Sequence, residues 1–218
     1  MVSFKSRFII YLFGIFALAI GSNLFLNAAL GVAPSCSLAL TLTFLLPCSY
    51  AFFNFVINTV FLIFEAMLAH QFGKTQIVQL LITFIYSYLI KCTGLFLNSI
   101  HPTTLVPQIL LACIACAVMA FGITLTLQSN ITVMPYEGFI GALSIRTKVE
   151  FGKLRVISDI LFTLISILIS LIVLHQIQSV GLGTILAAFL TGNIVTLYTN
   201  LLTKKHHHPV LLTKQFNQ

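Results

Sequence analysis

The sequence predicts an all-α membrane protein: six transmembrane helices in two inverted three-helix repeats, each repeat with a short proline-started helix that is broken or interfacial. Three observations predict it. Of 218 residues, 59% are apolar and only 7% are charged, where a soluble domain would carry about 25% charge, and the mean hydropathy is +1.07. Six apolar stretches are long enough to cross a hydrocarbon core of roughly 30 Å. The two halves of the chain also resemble each other.

The six spans cover residues 7–30, 49–69, 75–97, 106–128, 154–176 and 180–202. Each must be helical, because an open strand or coil facing lipid leaves backbone groups unpaired at several kcal/mol apiece. The first is too long for the apolar core of a signal peptide, and it carries the partner of a later segment, so it reads as a retained helix. Six spans place both termini on one side. Lys5 and Arg7, Lys74, then Arg146, Lys148, Lys153 and Arg155, and finally Lys204, Lys205 and Lys214 gather on that side. The excess of basic residues makes it cytoplasmic. Lys91, in the outer part of the third span, is the exception; it snorkels to headgroups or attracts an anion.

At an offset of 101 residues, Gly21 meets Gly122, Pro34 meets Pro135, Ala19 meets Ala120 and Phe61 meets Phe162. Leucine matches are cheap in such a composition, but glycine and proline each mark a backbone event at the same depth of its half. The repeats occupy 1–103 and 104–203, with a tail over 204–218. Three spans per half force the second half to insert upside down, the inverted plan of many secondary transporters. After the first span of each half lies a segment too long for a turn and too short to cross, 31–48 and 132–152. Proline suits the first turn of a helix, so Pro34 and Pro135 start short helices there. These helices either cover the bundle from the interface or dip inward, where their positive N-terminal ends would face an anion or carboxylate.

Met134, Pro135, Tyr136 and Glu137, then Gly141, Leu143 and Ser144, Arg155 with Asp159, and Gly181 to Thr184 resemble the second half of the YczE/YyaS/YitT membrane proteins. Gly21 and Gly31 to Pro34 resemble the matching pattern of the first half. The resemblance implies a bacterial multi-pass protein of the cell membrane. That family often has an acid two residues after the proline in both halves. Here Glu137 keeps it, and Cys36 stands in the first half.

Charges inside a span are costly and need an account. Arg155 and Asp159 share a helical face within ion-pairing reach, and Asn54 and Asn58 hold the equivalent places in the first half. These pairs either lock helices together or line a site with Glu137. Glu65 follows on the face of Asn58 and either reaches the interface or turns inward as a further acid. Gly181 and Gly183 permit close backbone approach, as do Ala17 and Gly21. Cys113 and Cys116 read as packing residues, while Cys36 and Cys48 lie in the outer segment, where oxidation is possible. His206 to His208 belong to a solvated tail.

The scattered basic residues form no phosphate-tracking patch, which excludes nucleic acid. The chain has no nucleophile with its base and no metal triad, so the sequence predicts neither an enzyme nor a cofactor. The leading expectation is a small secondary transporter or permease with a site at Asn54, Asn58, Glu137, Arg155 and Asp159, carrying a small molecule or ion. A substrate-binding subunit of an energy-coupled uptake complex is one alternative, and a structural or regulatory membrane partner is another. The lipid bilayer is the certain partner, and a homo-oligomer is left open. Reporter fusions after residues 72 and 150 are expected to read cytoplasmic and one after residue 100 external; an external signal after residue 150 would overturn the topology.

Overall fold

The computed structural model describes residues 4–70 and 72–203. The tail with Lys204, Lys205, Lys214 and His206 to His208 lies outside the described residues. Among the described residues eight helices follow one another: α1 (Phe4–Ala28), α2 (Pro34–Leu45), α3 (Tyr50–Ala69), α4 (Lys74–Leu97), α5 (Leu105–Ser129), α6 (Pro135–Thr147), α7 (Phe151–Ile169, continued by a π turn over Ser170–Leu174) and α8 (Leu182–Thr203). Six of them, all but α2 and α6, are long and apolar enough to cross a membrane. The chain is therefore a multi-pass integral membrane protein. Each span lies within three residues of its expected bounds, and the two short helices begin at Pro34 and Pro135, where the fixed φ of proline suits a first turn.

The centre of the bundle is the crossing of α1 and α5. Lipid offers apolar side chains no incentive to leave it, so helices associate through close packing and hydrogen bonds. Glycine supplies the closeness. A Cβ at Gly21 would collide with Met119 and come within 3.3 Å of the Ala115 carbonyl; one at Gly122 would stand 2.8 Å from the Gly14 carbonyl and 2.9 Å from Leu18. The stripe on α1 is thus Gly14, Leu18 and Gly21, and Ala17, expected to share the crossing with Gly21, lies only partly buried beside it. At the N-terminal end of α1 the Arg7 side chain closes the crossing. Its Nε donates to the Ser129 carbonyl at 2.6 Å, and its terminal nitrogen donates to the Asn130 carbonyl. Those carbonyls end α5 and have no partner within the helix.

Around this pair, α4 packs on α1 and α8 on α5. The α1–α4 contact is polar: Asn23 donates to the Ile90 carbonyl and to Thr93 Oγ1, both at 2.8 Å, Asn27 donates to the Leu97 carbonyl at 2.7 Å, and Ser22 bonds the Tyr86 hydroxyl. The connector after α1 meets the start of α8, where the Gly183 amide donates to the Leu30 carbonyl at 2.7 Å. Gly31 there has φ of +90°, and a Cβ on it would stand 2.6 Å from the Gly181 nitrogen. The close approach expected of Gly181 and Gly183 is made here, against Leu30 and Gly31.

The short helices sit between the longer ones. α2 packs on α3 and α7, and α6 packs on α7 and α3. Both are buried along one side, α2 through Pro34, Ser37, Ala39 and Thr41 and α6 through Pro135, Tyr136, Gly138 and Ile140. That side faces the longer helices. Phe61 of α3 and Phe162 of α7 touch edge to face at 5.0 Å, with Tyr136 and Phe139 around them.

Gly122→Ala is expected to lower stability by roughly 1–3 kcal/mol through overpacking. Gly192→Ala, where an added Cβ meets nothing within 4 Å, should be neutral or stabilising by up to about 1 kcal/mol. Thermal unfolding of the two variants in detergent checks the difference.

Candidate functional site

The polar residues of the middle helices converge on the first turns of α2 and α6. In α6, Glu137 lies two residues after Pro135, so that its side chain meets α7. Its carboxylate pairs with the Arg155 guanidinium at 3.4 Å. The same guanidinium sits 5.7 Å from the centre of the Tyr136 ring, within range of a cation–π attraction. The Tyr136 hydroxyl donates to Asp159 Oδ1 at 2.5 Å. Arg155 and Asp159 do share a face, but among the described residues they form no ion pair; each is taken by a residue of α6. The expected intrahelical pair is replaced because α6 brings a carboxylate to one and a hydroxyl to the other.

The first half is organised alike with neutral groups. Asn54 is buried, and its amide lies 4.0 Å from Cys36 Sγ on α2. Asn58 donates to the Asn54 carbonyl at 2.9 Å and to its Oδ1 at 3.0 Å. Cys36 therefore stands to Asn54 as Glu137 stands to Arg155. Burial pushes the Cys36 thiol up, bonds from Tyr50 and Ser35 oppose that, and the carboxylates of Glu137 and Asp159 push it up further. The two polar sets adjoin where α2 packs on α7 and Ser37 bonds Ser166 at 2.9 Å. In α6, burial pushes the Glu137 carboxyl above its ordinary value, against the pull of Arg155. Cys36 and Cys48 are not bridged.

Glu65 does not reach the interface. It is 2% exposed and turned inward, with Gln79 Nε2 donating to its two oxygens at 3.1 and 3.3 Å. It lies against Gly138 in the first turn of α6, where any Cβ would collide with the carboxylate. The carboxylate that this helix start attracts is thus the chain's own. Lys91 is exposed beside Tyr88 in a recess of about 300 Å³ between α3 and α4, away from the cluster. Among the described residues no group of histidine, cysteine and acid side chains could hold a metal ion.

Residues 5–200 match the sequence profile of a family of unknown function, DUF6198. The chain belongs to that family. No curated protein and no solved structure shows significant similarity to it. The polar cluster is therefore what speaks for this DUF6198 chain. Two polar residues, Tyr136 of the cluster and Gln79 beside Glu65, escaped the sequence reading. Gln79 could have been found by the rule that exposed the acids, since a polar residue inside an apolar span needs a partner. Tyr136 carried no such signal, because tyrosine is at home near membrane interfaces.

Removing Arg155 leaves Glu137 and Asp159 without a cation in a partly dry place. Arg155→Met alone is expected to cost about 1–3 kcal/mol, and Arg155→Met combined with Glu137→Gln less than that. A double-mutant cycle of thermal stability checks the sign of the coupling.

Proposed function

We propose that the protein is a small secondary transporter or permease whose site lies where α2, α3, α6 and α7 meet. The observation that carries this reading is the cluster itself. Two helices that do not cross bring Cys36, Tyr136 and Glu137 to the polar pairs Asn54 with Asn58 and Arg155 with Asp159. Irregular, partly polar backbone inside a membrane is tolerated where it lines a binding place or cavity. With two carboxylates against one guanidinium, the cluster suits a small cationic or zwitterionic solute.

The reading includes an inverted repeat over 1–103 and 104–203, with both termini cytoplasmic. Contacts between the halves support it by exchanging under the offset of 101 residues. Gly21 against Met119 and Ala115 answers to Gly122 against Leu18 and Gly14. Ser37 bonded to Ser166 at 2.9 Å answers to Gly138 against Glu65, and Phe61 against Phe162 answers to itself. The resemblance to the YczE/YyaS/YitT proteins belongs to the same proposal, since Pro135, Glu137, Arg155 and Asp159 carry both. A second reading, the substrate-binding subunit of an energy-coupled uptake complex, is favoured by α7 and α8, the least buried of the six spans; copurification with an ATPase module would select it.

The test is a panel of small primary and quaternary amines and zwitterionic amino acids, offered to purified protein and to proteoliposomes. A solute of this class should raise the melting temperature of the wild type, and Asp159→Asn should abolish both that rise and uptake while the protein stays folded. Full uptake by a folded Asp159→Asn protein would retire the site and leave the pair as a bond between helices.

A further inference from the structure

Glu65 and Gln79 form a second polar centre, one turn from the end of α3 and away from the Arg155 cluster. Glu65 is 2% and Gln79 1% exposed. A buried carboxylate ordinarily has a cation beside it. Here the charged and titratable groups of the neighbouring elements are engaged elsewhere. On α6, Tyr136 bonds Asp159, Glu137 pairs with Arg155, and Arg146 bonds His70. On α4, Tyr86 bonds Ser22, and Lys74 and Lys91 are exposed. On α2, Cys36 lies beside Asn54. Among the described residues Gln79 is the side chain that bonds Glu65.

The Gln79 amide reveals what the centre lacks. Its nitrogen donates to both Glu65 oxygens and to the Val133 carbonyl, yet its own Oε1 is buried without a partner. An ionised carboxylate only accepts, so it cannot satisfy that oxygen. A protonated one carries an O–H, the donor that this oxygen lacks. The ionised form also has support, from the Gln79 nitrogen and from the positive end of α6 at Gly138. The centre accommodates the acid in either state.

We infer that Glu65 is the binding site of a transferable proton, a role that rests on the transport reading for its use and on the Gln79 and Gly138 contacts for its place. The carboxylate takes one proton from water on the side where α3 ends and returns it there or onward; no electrons move and no other bond breaks. Gln79 also holds the Val133 carbonyl, two residues before Pro135 starts α6. Gain or loss of the proton therefore changes the tie that positions Tyr136 and Glu137. The equivalent contact in the first half, Ser37 with Ser166, has no titratable group, so the proton has one place and not two.

The test is infrared difference spectroscopy of the full-length protein in phosphatidylcholine vesicles across a pH series, with no solute present. The wild type should show the carbonyl stretch of a protonated carboxylic acid, shifted in D2O and fading as pH rises. Glu65→Gln should lose that band, whereas Asp159→Asn and Glu137→Gln should keep it. Persistence of the full band in Glu65→Gln, or its absence from the wild type at every pH, would overturn the inference. Glutamine mimics the protonated acid against Gln79, which favours folding of that variant. Should it fail to fold, Glu65→Asp serves: its shorter side chain loses Gln79, so the band should move, and an unmoved band would overturn the proposal. Because no solute enters, this outcome is separate from the fate of the transport reading; solute binding lost in Asp159→Asn with the band intact would support both.

Discussion

The crossing of α1 and α5 is the contact on which the other helices depend. In lipid two apolar helices gain nothing by hiding from the solvent, and what holds them is the number of atoms in contact and the few polar bonds between them. Gly21 and Gly122 remove the side chains that would keep the axes apart, so Leu18 and Met119 lie on backbone. Arg7 then ties the end of α5 to the start of α1. With that pair set, α4 and α8 have fixed surfaces to pack on, and α2 and α6 pack on α3 and α7.

The same scarcity of water governs the polar residues. Hydroxyls of Thr59, Thr83 and Thr124 bond the carbonyl one turn back in their own helices, which satisfies them locally; those of Thr41 and Thr93 do the same and also meet Ser179 and Asn23. Amides, acids and the guanidinium cannot all do so. Asn23 and Asn27 reach across to α4, Glu137 and Asp159 reach across to or from α7, and Glu65 draws Gln79. Each of these bonds joins two different helices, so the costly residues are also the ones that specify how the bundle is assembled. The cluster at Arg155 and the pair at Glu65 share α6: its first turn meets Asp159 through Tyr136, Arg155 through Glu137, and Glu65 through Gly138.

The composition and the run of apolar residues determined the membrane class and the six spans, because span length is set by bilayer thickness and helicity by the need to satisfy the backbone internally. The two short helices were equally legible, since proline acts on its own φ and on the residue before it, whatever the surroundings. Periodicity placed Arg155 with Asp159 and Asn54 with Asn58 on common faces, which holds for any helix. What tertiary structure alone decided is the partner of each side chain. Arg155 turns to Glu137 rather than to Asp159, and Glu65 turns inward rather than to the headgroups. The reason is that a helix determines direction but not what stands opposite. Which neighbour arrives, and with which atom free, follows from the depth and tilt of α6, set by contacts with α3 and α7 that no local pattern encodes.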